Sequence, residues 1–412
     1  MLRNVIRPNS YYDSVILMGL SRRLSALPGV HLAAAMMGTD ANKEILAEAK
    51  LLAATGKEAG PTDLLICIDA ETEEALRTAL GQVDGLLIPP RSGEERHERR
   101  PRTVDAALRL APAARIALIS VPGMYAGLEA RKALRAGLHV VLFSDHVPLE
   151  MEIALKRYAA ARDLFCFGPE CGTCIINGIP FAFANRVQRG RIGIVGASGT
   201  GIQAVSCLVA AGGEGVSQAL GVGGRDLDRA VGGIMTERAV RALQSDPETA
   251  VVIVLAKAGA PEVEEKVLHL VARGRKPTVL NWLGGAIPRS RGGEHLCITR
   301  TLEEAAAAAI RLLRGEALAP LFPFPDLEKA AALAEGLAAR LPNSSRRILG
   351  LYSGGSLTAE AHWLLHELGE PVATALPDGT FPPKPAPREH LLIDLGDETY
   401  TGGRGHPILD YR

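Results

Sequence analysis

Short apolar runs alternate with helical patterns along most of the 412-residue chain. In the first half, runs of β-branched and other apolar residues predict strands, and the later ones are separated by stretches at 125–136 and 149–162 that predict helices. The predicted strands of this half are 30–37, 63–69, 115–121, 139–144 and 163–168. This β-α-β alternation predicts an α/β protein whose parallel sheet is covered by helices on both faces.

A second series of apolar runs begins at residue 191 and predicts a domain of its own. Its predicted strands are 191–196, 216–223, 250–256, 276–283 and 295–299. Five strands with helices between them make a complete flavodoxin-like unit. The boundary between the two series falls near residues 187–190, so we expect one domain at 1–187 and a second at 188–316.

After the proline-rich span ALAPLFPFPD at 317–326, the pattern restarts but does not finish. A helix is predicted at 327–341, and a strand–turn–helix pattern from 346 is followed by one more predicted strand at 390–398. Two strands cannot complete an α/β domain, because each open sheet edge needs a partner. We therefore expect a linker and helix at 317–345 and an incomplete third domain at 346–412 that pairs with another chain or another copy.

Composition narrows the classes of partner. The 46 basic and 46 acidic residues give a formal net charge of zero, and aromatic residues make up only 4%. Such a chain has neither the long-range field nor the stacking platforms that collect nucleic acid. Since no apolar run approaches the roughly 18 residues that span a bilayer, and no apolar signal segment is present at the start, we expect a cytoplasmic protein that does not bind membranes.

A glycine-rich turn, GASGTG, joins a predicted strand directly to a predicted helix. Glycines allow so sharp a turn, and the first N–H groups of the helix are left without internal partners at the positive end of its dipole. No P-loop lysine follows, and the spacing differs from that of dinucleotide-binding turns. We expect a phosphate or carboxylate to bind here; the alternative is that the glycines serve only tight packing. The expected phosphate-binding residues are Gly196, Ala197, Ser198, Gly199, Thr200 and Gly201.

Two further turns repeat this design. LYSGGSLTAEA adds Ser353, Gly354, Gly355 and Ser356 to the expected phosphate-binding residues, and two helix N-termini facing one anion would share its charge. CFGPECGTCI supplies another glycine-rich turn after a strand, at the sheet edge where doubly wound folds bind ligands. The expected substrate-binding residues are Gly168, Pro169, Glu170, Cys171, Gly172 and Pro122.

The cysteines at 166, 171 and 174 have the C-x4-C-x2-C spacing of three iron–sulfur ligands. A fourth local ligand is missing, so we expect no metal here. Cys171 is a candidate nucleophile, but no histidine lies nearby in the sequence to activate it. We favour the interpretation that Cys171 packs in its turn.

Several motifs together resemble one known family. They are MMGTDANKEIL (36–46), ISVPGMYA (119–126), LFSDHVPLE (142–150), GPECGT (168–173), GIVGASGTGIQ (193–203), GVGGRDL (221–227), LYSGGSLTAEA (351–361) and IDLGDETYTGGRGHPILD (393–410). Over nearly its whole length the chain resembles the FdrA-like acyl-CoA synthetase family, relatives of the succinyl-CoA synthetase α subunit. The resemblance implies a Rossmann-like, CoA-binding-type domain, then a flavodoxin-like domain, then part of a second flavodoxin-like domain. It also implies that both serine–glycine turns are phosphate nests, because the synthetases point the helices after them at a phosphohistidine.

Three differences from the synthetases modify what the resemblance implies. Where they carry the phosphohistidine loop, this chain reads GGAIPRSRGGEHLCITR, with His295 at the start of the next predicted strand. Lys257 occupies the position of a synthetase glutamate, and its ammonium group would attract an anion directly; the alternative is a surface lysine at a strand end. The first turn, VIRPNSYYDSV, lacks the glycines with which the synthetases approach CoA, so CoA is a possible ligand but not the expected one. We therefore expect phosphate as a substrate and no required cofactor.

The resemblance further implies a role in purine (allantoin) catabolism as a subunit of oxamate carbamoyltransferase, which converts oxalurate and phosphate into oxamate and carbamoyl phosphate with the help of other subunits. Backbone amides and Lys257 would hold the phosphate that attacks a carbonyl. Arg225 would clamp a second carboxylate or phosphate and Asp226 would orient it; the alternative is a surface pair. Two other functions stay open, namely an acid–CoA ligase that uses a nucleotide through a partner subunit, and a non-catalytic scaffold that senses an anion.

Overall fold

The computed structural model describes residues 1–10, 12, 14–87, 101–257, 259–283, 287–318, 327–341, 347–373, 389–397 and 400. The proline-rich span and the last expected motif therefore lie largely outside the described residues. The chain divides into two units. The first comprises the described residues within Met1–Arg99, Leu351–Ser353 and Asp394–Arg412, and the second those within Arg100–Gly350 and Gly354–Ile393. No helix in these ranges is both long and apolar enough to cross a bilayer.

The first unit is built on a three-stranded antiparallel sheet in the order β1-β3-β2. Its elements are β1 (Leu2–Arg7), α1 (Ser14–Ser25), β2 (Val30–Met37), α2 (Asp40–Glu48), β3 (Leu64–Ala70) and α3 (Glu73–Leu87), with a 3-10 helix at Ala54–Glu58. One face of the sheet packs on α1 and α3. The other face packs against residues such as Leu46 and Leu51.

The expectation of a single parallel sheet across residues 30–168 was wrong. The β1–α1–β2 connection does leave β1 and β2 parallel to each other, but β3 inserts between them and runs opposite to both. An alternation of strands and helices does not reveal such an insertion. The remaining predicted strands of this half belong to the second unit and form a separate sheet.

That separate sheet is small and parallel, in the order β4-β5-β6. Its elements are α4 (Val104–Leu110), β4 (Ile116–Ile119), α5 (Gly123–Arg135), β5 (His139–Leu142), α6 (Leu149–Ala160) and β6 (Cys166–Phe167). A hairpin of β7 (Thr173–Ile176) and β8 (Ile179–Ala182) follows. The hairpin does not join this sheet but extends the next one, through an antiparallel pairing of β7 with β10.

The largest sheet has seven strands in the order β13-β12-β11-β9-β10-β7-β8. Its further elements are β9 (Arg189–Gly196), α7 (Gly199–Ala211), β10 (Val216–Gly221), α8 (Ile234–Ser245), β11 (Val251–Lys257), α9 (Pro261–Ala272), β12 (Thr278–Leu283), β13 (Leu296–Thr299) and α10 (Leu302–Arg314). Its five parallel strands follow the order 2-1-3-4-5, which confirms the expected flavodoxin-like unit. Because both faces are covered, these strands are continuous apolar runs.

The last described elements are α11 (Leu327–Ala338), β14 (Leu349–Tyr352), α12 (Gly355–Glu367), β15 (Val372–Ala373) and β16 (His390–Asp394). Their sheet has the order β14-β16-β15, one strand more than the sequence predicted. Helix α12 packs against α7, and the Leu302 N–H at the start of α10 donates to Glu360 Oε2 of α12 at 2.6 Å. The pairing of this part with another chain stays a prediction.

Candidate functional site

The N-termini of α7 and α12 meet. Ser198 caps α7, since its Oγ accepts from the Gly201 N–H at 3.2 Å. A β-carbon placed on Gly354, just before α12, would overlap the Thr200 side chain. A β-carbon on Gly201 would lie 3.6 Å from Ser356 Oγ. The structure therefore brings together the two serine–glycine turns that the sequence singled out, with Gly196 and Ala197 behind them at the end of β9; Ser353 and Gly355 flank Gly354 in the chain.

The two helix ends present unused hydrogen-bond donors. The first backbone bonds within them start at Ile202 and Leu357, and the Gly201 N–H is taken by Ser198 Oγ. The other N–H groups before Ile202 and Leu357 have no acceptor inside their own helix. Ser356 is only 1% exposed, and its hydroxyl has no hydrogen bond to any described residue. Neither α7 nor α12 has an acidic residue in its first turn, whereas α9 and α10 each have two. The positive ends of α7 and α12 are thus not compensated by their own side chains and suit an anion.

The expected lysine lies at the same edge of the sheet as these turns. Strand β11 ends at Lys257, whose side chain is exposed, and β9 ends at Gly196, which pairs with Leu255 of β11. The strand order reverses between β9 and β11, and the crevice at such a reversal is where doubly wound sheets bind ligands. Beyond Lys257, Glu264 accepts from the Gly259 N–H and from Trp282 Nε1, at 3.2 and 2.8 Å. Sequence reasoning missed this glutamate, which holds the turn after β11.

The expected partnership of Arg225 with Asp226 is not what the structure has. Asp226 is fully buried, and its carboxylate accepts from the N–H and the hydroxyl of Thr236 at 2.8 and 2.7 Å. Arg225, which is half-buried, donates from Nη2 to the Val147 carbonyl at 2.7 Å, and its Nε lies 3.0 Å from Glu152 Oε2. Consecutive residues of this turn point in different directions, so Glu152 orients the arginine and Asp226 does not.

A buried lysine holds this region together. Lys156 donates to Glu152 Oε1, Asp226 Oδ1 and the Val222 carbonyl, at 2.7, 2.8 and 2.9 Å. Burial by itself would lower the pKa of Lys156, but the attraction of the two carboxylates outweighs it and the pKa is raised. Helix α6 is thereby tied to the loop after β10. The four-residue spacing of Glu152 and Lys156 was the only sequence signal for this cluster.

The third glycine-rich turn packs against that same loop. A β-carbon on Gly223 would lie 2.8 Å from the Pro169 carbonyl, and Gly168 has a φ of +93° that favours glycine. Glu170, at the tip of the turn, is exposed. Cys171 is buried, and its pKa is raised by hydrogen bonding with Cys174 together with burial. A thiol held in its neutral form is a poor nucleophile and a poor metal ligand, which supports the packing interpretation.

Two more sequence candidates are not part of the facing turns. Pro122 precedes α5 at the end of β4, on the small sheet, and a β-carbon on the next residue would overlap the Asp145 carbonyl. His295 is exposed just before β13, where its carbonyl accepts from the Thr278 N–H at 2.8 Å. Thr278 begins β12, so His295 lies at the end of the sheet opposite to Gly196. Six residues of strand span about 20 Å, too far for a phosphohistidine at His295 to reach the turns.

Comparison with known proteins identifies the family. Over 414 aligned residues the chain is 39% identical to the uncharacterized protein YahF of Escherichia coli strain K12, which covers 98% of this chain and 78% of that protein. The chain belongs to the YahF family. The YahF-family chain is also 27% identical over 245 residues to the α subunit of the ADP-forming succinate–CoA ligase of Aquifex aeolicus, over 57% of the chain and 74% of that subunit. This confirms the expected relation to the succinyl-CoA synthetase α subunit.

Two family models match parts of the YahF-family chain. One, described as "AllF, heavy metal-associated domain", matches residues 1–102. The other, a CoA binding domain, matches residues 187–281, which is the flavodoxin-like sheet and not the N-terminal region where a CoA-binding-type domain was expected. The N–H donors of the α7 turn, within 187–281, fit a phosphate group of CoA as well as free phosphate.

The described residues of 1–102 do not fit a heavy metal. Cys67 is the sole cysteine in residues 1–102, and it is fully buried in β3. Burial raises the pKa of this thiol to about 12, although a metal binds the thiolate. Within the part of the chain that the structure describes, no group of three or more His, Cys, Asp or Glu could hold a metal ion.

Solved structures that resemble the YahF-family chain include an ATP citrate lyase from Methanothrix soehngenii in complex with citrate and coenzyme A. The TM-score is 0.41 and the identity 18%, over 59% of this chain and 46% of the lyase chain. PH0766 from Pyrococcus horikoshii OT3 gives a TM-score of 0.40 and 13% identity, over 63% and 75% of the two chains. The chain thus spans less than half the length of the lyase.

Proposed function

We propose that the YahF-family chain binds inorganic phosphate between the N-termini of α7 and α12 and is the catalytic subunit of a transferase that forms carbamoyl phosphate or an acyl phosphate. The observation behind this is the meeting of two uncompensated helix ends at the topological switch point, with Lys257 at the same sheet edge. Each helix end stabilises a bound anion by about 0.3–1 kcal/mol, and by up to about 2 kcal/mol when partly buried.

The proposed reaction is the phosphorolysis of oxalurate, as in oxamate carbamoyltransferase. A phosphate oxygen attacks the carbamoyl carbon and forms a C–O bond. The C–N bond to the leaving amide then breaks, and that nitrogen takes up a proton, which gives oxamate and carbamoyl phosphate. Backbone amides and Lys257 hold the phosphate, and Arg225, aligned by Glu152, pairs with the carboxylate of oxalurate. Most of the catalysis is positioning and charge stabilisation.

The name AllF of the N-terminal family model is consistent with the allantoin pathway, as is the FdrA-like resemblance of the motifs. The proposed partners are the other subunits of the transferase complex, one of which would complete the sheet of β14, β15 and β16. The proposal locates the protein in the cytoplasm, and the proposed reaction involves neither a nucleic acid nor a membrane.

The deciding experiment incubates the assembled complex with oxalurate and phosphate and measures carbamoyl phosphate by ³¹P NMR. We expect product from the wild type and a loss of at least 100-fold in kcat/KM for Lys257→Ala, since one charge-assisted contact to a transition state is worth about 3 kcal/mol. Lys132→Ala removes an exposed lysine from α5 and serves as the matched control. Absence of carbamoyl phosphate overturns the reaction, and full activity of Lys257→Ala favours a non-catalytic scaffold.

The phosphate site itself is tested by Gly354→Val, because any side chain at this position overlaps Thr200 and forces the two helix ends apart. We expect isothermal titration calorimetry to show a loss of phosphate binding. Gly336→Ala in α11, where an added β-carbon meets nothing within 4 Å, is the control. Unchanged phosphate affinity in Gly354→Val would exclude the site.

A second candidate function is an acid–CoA ligase that takes its nucleotide from a partner subunit. The CoA binding domain match at 187–281 and the ligase relatives favour it. In that case the N–H groups of the α7 turn would hold a phosphate of CoA, and CoA would supply the thiol that accepts the acyl group. If the chain binds CoA tightly and the complex forms no carbamoyl phosphate, the acid–CoA ligase function is favoured over the transferase.

A further inference from the structure

A buried threonine lies beside the proposed phosphate site. Thr173, the last residue of the GPECGT motif, is the first residue of β7 and is 0% exposed. A β-carbon placed on Gly199, the first residue of α7, would lie 3.3 Å from Thr173 Oγ1. The hydroxyl of Thr173 is therefore adjacent to the helix end that carries the unused N–H groups.

The hydrogen bonds of Gln203 determine which way this hydroxyl donates. Gln203 Nε2 lies 3.1 Å from the Phe183 carbonyl and 3.1 Å from Thr173 Oγ1. A carbonyl can only accept, so the group that faces Phe183 is the NH₂ end of the amide. Its second hydrogen then goes to Thr173 Oγ1, which acts as the acceptor. The hydrogen of the Thr173 hydroxyl must point away from Gln203, and none of the described residues accepts it.

We propose that the Thr173 hydroxyl is a third donor to the oxyanion held between α7 and α12, and that Gln203 is a positioning residue that fixes its direction. This inference rests on the proposed phosphate site and adds to it the class of ligand. Donors converge from three separate elements, β7, α7 and α12. The oxygens of a tetrahedral oxyanion point in three or more directions, whereas both oxygens of a carboxylate lie in one plane, so donors from three separate elements are matched better by the tetrahedral group. The site therefore selects phosphate or a phosphoryl group over a carboxylate.

The test measures the affinity of the full chain for inorganic phosphate and for formate by calorimetry, in wild type and three variants. Thr173→Val keeps the shape and removes the donor, so phosphate should bind about 10- to 100-fold more weakly, the usual effect of one hydrogen bond to a charged group. Formate affinity should change less than threefold. Thr173→Ser retains the hydroxyl and should bind phosphate within threefold of wild type. Gln203→Leu keeps the Thr173 hydroxyl but no longer fixes the direction in which it donates. This variant should weaken phosphate binding less than Thr173→Val does.

Ser356→Ala distinguishes the role of Thr173 from the existence of the phosphate site, because it removes a donor of α12 and leaves Thr173 in place. If Ser356→Ala weakens phosphate binding but Thr173→Val does not, the role of Thr173 is overturned and the site survives. If the wild type binds no phosphate, the proposed function and this inference both fall. Should Thr173→Val not fold, Thr173→Ala replaces it, with thermal melting as the check. Equal losses for phosphate and formate would overturn the selectivity.

Discussion

At the scale of single residues, close approach and burial govern this protein more than backbone conformation does. Gly354 has an extended φ of 179°, which any residue can adopt, so the requirement for glycine comes from the Thr200 side chain beside it. Lys156 is a core residue although lysine is seldom buried, because two carboxylates and a carbonyl receive its three hydrogens. Both requirements involve residues distant in the chain.

Lys156→Met should destabilise the protein strongly. Loss of the ammonium group leaves the carboxylates of Glu152 and Asp226 buried without their main cation, and breaking one side of a buried ion pair costs about 3–5 kcal/mol. Urea unfolding followed by circular dichroism measures the change. Lys132→Met, which removes an exposed pair with Glu129, should change the unfolding free energy by less than about 1 kcal/mol. Similar stability of the two variants would contradict the assignment of the cluster.

His139 should make stability depend on pH below neutrality. Its Nδ1 accepts from the Phe165 N–H at 3.0 Å, so the folded state needs the neutral ring. Burial, helped by repulsion from Arg238 and opposed by Asp163, lowers the pKa of His139 from 6.5. A lowered folded pKa means that this stabilisation is present above pH 6.5 and is lost as the pH falls through the folded pKa.

Melting temperatures between pH 7.5 and 5 test this dependence. In His139→Asn the amide oxygen can replace Nδ1 as the acceptor but cannot titrate. The part of the acid destabilisation due to His139 should therefore disappear in the variant. An identical pH profile in variant and wild type would rule out the role of His139.

At the scale of elements, the two helices of the proposed site differ from α9 and α10, which cover the same sheet. Helices α9 and α10 begin with acidic residues that neutralise their positive ends, while α7 and α12 do not. The strand order then puts the end of β9 next to the end of β11. In both pairs of helices a negative charge stabilises the positive N-terminal end. In α9 and α10 it belongs to an acidic side chain, and in α7 and α12 to the proposed ligand.

The docking of α12 should weaken as the pH rises from acid to neutral. Glu360 Oε2 of α12 accepts from the Leu302 N–H, yet burial, together with Glu303 and Glu304, raises the pKa of Glu360. A raised folded pKa means that stability is greatest below the ordinary value of 4.5 and is lost as the pH rises through the folded pKa.

Glu360→Gln keeps an acceptor for the Leu302 N–H and removes the charge. We expect the variant to be more stable than wild type at pH 7 and equal to it near pH 4. Guanidinium unfolding at both pH values gives the comparison. A variant that is less stable at pH 7 would show that the ionised carboxylate favours the contact.

At the scale of the whole molecule, charge is balanced and the field that attracts an anion is local. Equal numbers of acidic and basic residues leave no net charge. Exposed pairs such as Arg229–Glu262 neutralise much of the surface, and such pairs add little stability. An anion must therefore be recognised at short range, by amides and one or two side chains.

Phosphate affinity should accordingly depend only weakly on salt. Raising KCl from 50 to 200 mM should weaken binding by less than about threefold, because a partly buried site is screened less than exposed charges. A site that holds phosphate by exposed charges is screened more strongly over that range and should lose more affinity. Calorimetric titration of phosphate at both salt concentrations makes the comparison, and a steep dependence would point to an exposed basic patch in place of the helix ends.

Parts of the fold could be read from the sequence because their signals are local. The five strands of the flavodoxin-like unit are long apolar runs, and each is found within a few residues of its predicted bounds. The β7–β8 hairpin was missed although Asn177-Gly178, with φ values of 52° and 79°, is a strong hairpin signal. β1 was missed because Arg3, Asn4 and Arg7 interrupt its apolar pattern. The antiparallel pairing of β3 had no local signal at all.

The sequence by itself determined the alternation of strands and helices, the glycine turns and the lysine at the end of β11, since each depends on residues a few positions apart. Only the tertiary structure decided that the turns at 198 and 354 face each other, that Asp226 pairs with Lys156 and not with its chain neighbour, and that Thr173 lies beside α7. These are contacts between residues 26 to 155 positions apart, and their geometry depends on strand order and helix packing, which no short stretch of sequence specifies.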